Sequence, residues 1–523
     1  MSKTLKIISI LILGVILCLN VFAQNEDSDI NKDKKPAKVE IVHANSLEYD
    51  ESTGVKAKKL LGKVVFKHEE AFMFCDSAYF YDNTNTIEAY SNVRIKQGDT
   101  ILFIGKYLEY DGNSKIAKMR DSVILKHRES LLLTDSLDYD RNLDIAYYFN
   151  GGKIFHDNNK LYSRRGYYFL KKKDYYAVDT VVLVNPQYDI YSDTLRYNTD
   201  SAISYFYGPT DIVADSNFIY CENGYYNTRT DVAAFSENAW LRSGTNYLKG
   251  DSLYYDRKIR YGEAMNNVSV IDTAENLLAY GNFGYYYESP QKAMLTDSTL
   301  VVYVTDGDSL YMHSDTVYIT VDTADNRLIR AFRKVQVFKS DLQARCDSLT
   351  FMSRDSIAEM FYDPILWSED NQIFADKITV HFVDNKPDIF YLDGNAFTIQ
   401  QYDSIHYNQM KSRKIIGYII EKKIRKVKLL NDCQTIYFVV DDEINEIVAL
   451  NKVVSSNMTI YFNENKIEKI WFYDKPDGET IPIEQVTSEQ VILKDFMWFD
   501  YIRPNDKNEI FIWKERLDNK EAE

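Results

Sequence analysis

The sequence predicts an all-β chain, an elongated antiparallel array built from tandem repeats of about thirty residues with two strands in each. Three observations predict it. A pattern close to D-S-L-x-Y-D returns at near-constant spacing down the chain, and 42 Tyr and 27 Phe stand against only 9 Pro in 523 residues. Short runs that alternate apolar and polar residues are also separated by Asp, Asn and Gly. Aromatic side chains suit a pleated, half-buried surface, whereas Pro removes a ladder donor.

The first residues read as an address. Lys3 and Lys6 precede an apolar run from Ile7 to Leu19, and Val21-Phe22-Ala23 supplies a small-residue cleavage site before Gln24. That run is shorter than the roughly 20 residues a spanning helix needs, so residues 1–23 are expected to be a cleaved export signal. Losing the two lysines with it takes the formal charge from −16 to −18. A chain so acidic repels nucleic acid. With 45% hydrophobic residues it is also too apolar for a disordered acidic tail.

The repeat is clearest at Asp135-Ser136-Leu137-Asp138-Tyr139-Asp140 and at Asp251-Ser252-Leu253-Tyr254-Tyr255-Asp256, with variants at 45–50, 106–111 and 193–198. Aligned on the Leu position it passes through Leu47, Ala78, Leu108, Leu137, Tyr167, Leu195, Tyr225 and Leu253, in steps of 28 to 31 residues. Fainter copies follow at Asp308-Ser309-Leu310 and Asp347-Ser348-Leu349. Each unit reads as two strands. One is Ile87–Lys96, Gln97-Gly98-Asp99 turns, the next is Ile101–Tyr110, and Asp111-Gly112-Asn113 turns again. Asp, Asn and Gly suit these turns because they tolerate left-handed backbone and bond their own main chain.

The first strand of each unit alternates. Val64 and Phe66, Val93 and Ile95, Val123 and Leu125, Val268 and Val270, and Val335 and Val337 flank a residue that points the other way. One face is therefore dry and the other wet. Gly62, Asn92 and Asn267 just upstream mark a bend that folds the sheet over its own dry face. Periodicity leaves two interiors open, a filled core or a groove lined by those ten residues. Cys75, Cys221, Cys346 and Cys433 are spread too far for a small disulfide framework. They read as small core residues, with a disulfide as the alternative in an exported protein.

The stretch Ser91-Asn92-Val93-Arg94-Ile95-Lys96-Gln97-Gly98-Asp99, followed by Lys106-Tyr107-Leu108-Glu109-Tyr110-Asp111, resembles the OstA-like (LptA-like) periplasmic lipopolysaccharide-transport family. That family's repeat has an N-V-x-I strand, a Q-G-D turn and an A-D-x-x-x-Y-D strand. Gly105-Lys106 departs from the Ala-Asp pair, which returns at Ala375-Asp376. The resemblance implies a β-jellyroll with edges able to stack end to end. It also implies a hydrophobic interior that shelters lipid A acyl chains, and no catalytic residues. Partners would be lipopolysaccharide and other transport proteins at the inner and outer membranes. The expected organisation is a signal at 1–23, a flexible segment at 24–38, OstA-like repeats over 39–463 and a C-terminal segment at 464–523, partly strand and then a charged tail.

Little else competes. Seven scattered histidines form no H-E-x-x-H pair, so neither metal nor cofactor is called for. No G-x-S-x-G elbow or phosphate-cradling loop occurs either, and no enzyme is expected. The basic run from Lys411 to Lys428, and within it Lys422, Lys423, Arg425 and Lys426, stands out in an acidic chain. It reads as a contact for lipid A phosphates or an acidic partner, or as a solvated strand face. The function expected is a periplasmic lipid carrier, with outer-membrane association open. A structural envelope protein with a filled core is the alternative. A carbohydrate-active β-solenoid fits worse, because its parallel coils lack these hairpin turns.

Overall fold

The computed structural model describes residues 37–49, 56–214, 217–305, 307–384, 386–421, 423–441, 443–444, 446–463 and 466–517. The expected export signal at 1–23 and Lys422 lie outside the described residues. Among those residues there are thirty-six strands and three single-turn 3-10 helices, with no α-helix. The chain forms two compact units, one ending at Gly152 and the other starting at Lys153. Both are made of antiparallel hairpins.

In the first unit the ladder runs through Lys58–His68, Ala71–Tyr81, Thr86–Gln97, Ile101–Asp111, Ile116–His127 and Ser130–Asp140. Each strand pairs antiparallel with the next. Every second long strand breaks in the middle at two consecutive residues with positive φ: Gly62-Lys63 at 76° and 50°, Ser91-Asn92 at 62° and 50°, and Asp121-Ser122 at 65° and 53°. The register slips there. Tyr90 faces Tyr107, but Val93 already faces Gly105, so two residues oppose the single Lys106. This is a β-bulge, and it bends the sheet onto itself. The bends fall at Gly62 and Asn92 as expected, and in the second unit at Asn266-Asn267.

The two layers meet through large side chains. Phe66 sits 5.9 Å from Phe80, and Phe103 sits 4.6 Å from Tyr139, each pair coming from opposite sides of the bend. Fully burying one such side chain stabilises by about 1.5–3 kcal/mol, so a row of them offsets the strained backbone at the bulges.

The repeat motif now has a physical reading, position by position. Its leading Asp stands at the bend and accepts a hydrogen bond from the Asn in the neighbouring strand's left-handed pair. Asn92 Nδ2 reaches Asp76 at 2.6 Å, Asn267 reaches Asp251 at 2.9 Å, and Asn395 reaches Asp376 at 3.1 Å. The Leu packs beside the bend. The closing Asp or Asn caps the hairpin turn by accepting main-chain N–H groups two and three residues ahead, as Asp111, Asp140, Asn198 and Asp256 do.

The structure corrects the repeat alignment at two places. Tyr167 and Tyr225 do not occupy the Leu position. Gly166 and Gly224 do, because cross-strand partners share a face and the row runs Gly166, Ala177, Leu195, Phe206, Gly224, Phe235, Leu253. A Cβ on Gly224 would lie 2.5 Å from the Ala234 carbonyl oxygen and 3.1 Å from the Phe235 ring. The tyrosines drew the alignment by one residue because Gly gives no apolar signal.

In the second unit the ladder continues to Glu446–Asn463, followed by Lys466–Tyr473 and Asp477–Pro482. Val335, Val337, Cys346, Leu392, Ile415, Leu429, Cys433 and Met458 share one interior cluster. All four described cysteines are buried and unbridged. Burial pushes the thiols of Cys75, Cys221 and Cys433 up to about 12, so they remain protonated packing groups. Beyond Pro482 the chain turns back, and residues 483–517 lie across the outer face of strands in the same unit.

Candidate functional site

Any cargo carried by this architecture must lie between the two dry layers. In the first unit that space is closed. Val64, Phe66, Val93, Ile95, Val123 and Leu125 are all buried against the facing layer. The lip opposite the bend is clasped by polar contacts between layers. His68 Nε2 donates to the Ala37 carbonyl at 3.0 Å, so its Nδ1 accepts from the Tyr110 hydroxyl at 2.6 Å. Arg141 donates to the same hydroxyl at 2.7 Å, and Glu69 lies 3.6 Å from that guanidinium. Burial holds His68 below its ordinary value, and the hydrogen bond from Lys115 holds the Glu69 carboxyl below its own. One repeat later the Tyr139 hydroxyl lies 3.1 Å from Gln97 and 3.0 Å from Asp144. Such a clasp is neutral where His68 sits, and it holds the layers shut.

The second unit begins the same way and then changes. Tyr197 Oη meets His156 Nδ1 at 3.0 Å. Tyr110, Tyr139, Tyr197 and Tyr255 hold the same place in the repeat, and their exposures are 0, 1, 2 and 36%. The clasp partners explain the step. His68 and Gln97 stand 42 residues before their tyrosines, and His156 stands 41 before its own. The corresponding positions before Tyr255 are Val213 and Ala214, whose side chains offer no hydrogen bond. Among the described residues no side chain reaches across to the Tyr255 hydroxyl.

Where the clasp ends, the interior becomes accessible on both layers. On one layer successive cross-strand partners run Ile219, Leu241, Leu248, Val270, Ala279, Val301. All are partly exposed or more, while Ile212 before them and Met312 after them are buried. Val270 itself is 36% exposed. Six strands at about 4.8 Å spacing make this apolar strip roughly 24 Å long. On the other layer the row alternates ring and gap: Tyr226, Ala233, Tyr255, Gly262, Tyr286, Ala293. Tyr286 is 41% exposed. A strip walled by aliphatic groups and by tyrosines with slots between them offers mainly apolar contacts.

Of the residues expected to face a groove, Val270 alone opens onto this strip. Val268, Val335 and Val337 are buried. Sequence reasoning missed Leu248, Tyr226, Tyr255 and Tyr286. For Tyr255 the signal is the absence of a hydrogen-bonding side chain 41 or 42 positions upstream, where Val213 and Ala214 stand.

The basic run lies elsewhere, on the outer face. Val427 and Leu429 point inward, so Lys426 and Lys428 point out. Lys426 Nζ sits between the Tyr418 and Tyr461 rings, 5.3 and 5.5 Å from their centres. Arg425 donates to Asn463 Oδ1 at 3.3 Å, and Lys423 is exposed. Arg413 pairs with Asp432 at 2.8 Å and Lys414 with Asp393 at 2.7 Å. Most of these cations are already engaged by aromatic rings or carboxylates.

The fold defines an all-β repeat protein, built of antiparallel hairpins in each of its two units, with a closed interior in the first and an accessible apolar strip in the second. Residues 36–193 match the family model described as OstA-like protein. The crystal structure of LptH from Pseudomonas aeruginosa, titled the LptA homologous periplasmic component of the lipopolysaccharide transport device, aligns at 10% identity. The alignment covers 27% of this chain and 97% of that one, with a TM-score of 0.21. No curated protein matches this chain.

Proposed function

We propose that this chain is a non-catalytic lipid carrier of the periplasm, exported by cleavage after Ala23, that shelters the acyl chains of lipopolysaccharide between the inner and outer membranes. The observation that carries this reading is the accessible apolar strip around Val270, faced by Tyr226, Tyr255 and Tyr286. The OstA-like match over residues 36–193 supports the choice of lipid, and other lipopolysaccharide-transport proteins are the natural partners. Residues 24–38 lead into a repeat body at 39–463, and the acyl path lies in its later half, because the first unit is clasped shut. The Lys423–Lys428 strands offer an outward surface for anionic groups.

Mass spectrometry of lipid retained by the full mature chain, purified from an envelope that contains lipopolysaccharide, tests the reading. Lipid A species at near-equal molar amounts are expected. Folded protein free of lipid would overturn it in favour of a structural envelope protein, a second reading that the sealed interior of the first unit favours.

A further inference from the structure

The outer face of the second unit holds a site that the lipid reading does not use. Four glutamines and an arginine point away from the interior there: Gln336, Gln343, Arg345, Gln372 and Gln409. Outward polar side chains belong in water, yet none of these is more than 4% exposed. They are covered by residues 483–517, which are not a strand and whose contacts run back from Gln409 through Gln372 and Gln343 to Gln336 before returning to Arg345.

Gln409 and Gln372 make the same pair of contacts. Gln409 Nε2 donates to the Val491 carbonyl at 2.7 Å, and its Oε1 accepts from Leu493 N–H at 2.8 Å. Gln372 repeats this with the Met497 carbonyl at 2.7 Å and Phe499 N–H at 2.7 Å. Each amide thus reads the carbonyl of one residue and the N–H two residues on, as a neighbouring strand would. Gln336 donates to the Ile510 and Ile512 carbonyls at 2.8 and 3.0 Å, and Arg345 donates to the Lys514 carbonyl at 2.6 Å. Main chain is read at these four residues, while Gln343 Oε1 accepts from the Arg503 side chain at 2.8 Å and Arg345 also lies 3.5 Å from the Trp513 ring centre.

Specificity comes from apolar anchors three residues apart. Leu493, Phe496, Phe499 and Ile502 dock on a face made by Phe374, Phe397, Phe438 and Trp367. Phe499 meets Phe374 edge-on at 5.6 Å, and Phe496 lies 5.3 Å from Tyr407. The opposite side of the segment is open, with Ile492, Tyr501, Phe511 and Ile512 exposed. Nothing among the described residues locks it from above.

We propose that this outer face is a binding site for an extended polypeptide carrying an apolar residue at every third position, and that residues 487–517 are its resident, exchangeable ligand. A partner segment of the same pattern competes for the same seat.

The test keeps the full chain. A protease site inserted after the exposed Ser488 is cut in the folded protein, and a fluorescent synthetic peptide of residues 489–517 is added. The peptide is expected to replace the nicked segment in a saturable way, and a scrambled peptide of the same composition is not. Gln372→Leu and Gln409→Leu in the protein should each weaken capture about tenfold, whereas Gln400→Leu, on an exposed position, should not. Leu493→Asp in the peptide alone gives the same readout without risk to folding. A nicked segment that never exchanges short of unfolding would show an integral part of the core. One that departs with no capture of the labelled peptide, or capture of the scrambled peptide equally well, would equally overturn the proposal.

Discussion

Shortening Val93 and Val270 separately should have different costs, because the same side chain stands in a closed interior and on an open strip. Val93 is 1% exposed and Val270 is 36% exposed. Val→Ala removes two carbons, worth about 0.8 kcal/mol each when fully buried, and in a packed site a cavity penalty adds to this. Val93→Ala should therefore cost about 2–3 kcal/mol, and Val270→Ala about 1 kcal/mol with little cavity term. Native-state hydrogen exchange reads each locally, on amides of Thr86–Gln97 and of Tyr261–Asp272, and avoids assuming that both units unfold together. A photo-crosslinking residue completes the comparison. In cells that supply lipopolysaccharide, position 270, 255 or 286 should yield lipid adducts, and positions 93, 95 and the outward 269 should not. Equal costs for the two substitutions, or adducts at 93 as strong as those at 270, would refute the division into a sealed and an open interior.

Two further outcomes follow from the same geometry. His68 is held neutral, below its ordinary value of 6.5, by burial, and it faces Tyr110, Arg141, Glu69 and Lys115. Its contribution is complete above pH 6.5 and declines as pH falls toward its lowered folded value, by up to about 1.4 kcal/mol per pH unit. Denaturant melts of the first unit should show this slope, and His68→Gln should flatten it; an unchanged slope rejects the neutral clasp. In the basic run, replacing Lys423, Arg425 and Lys426 by Gln should weaken binding to anionic-lipid vesicles at low salt and much less at 0.15 M, where screening acts within about 8 Å. The Lys426 change alone should also cost about 0.5–1 kcal/mol through its two tyrosines. Vesicle binding that ignores both charge and salt leaves the run as an ordinary strand face.

Much of the construction was legible in the residues because it is local. Period-two alternation at Val93-Arg94-Ile95 sets which face is dry, Asp111 and Asp140 cap their own turns, and Asn92 bends its strand through its own backbone angles. Repetition multiplied these signals. Only the tertiary structure decided whether the dry face is sealed or open, since that depends on a side chain some forty residues away. His68 and Gln97 close the lip over Tyr110 and Tyr139, while Val213 and Ala214 leave Tyr255 uncovered, and all three tyrosines look alike within their own repeat. Gly224 at the Leu position was misread for a related reason, as its fitness lies in the close backbone approach of Ala234 and Phe235 and not in any property of the residue itself. The segment 483–517 was the least legible. Its residues have no strand period, and what orders them is a set of glutamines up to 176 positions away, whose outward polar amides look like ordinary solvated side chains until main chain is laid across them.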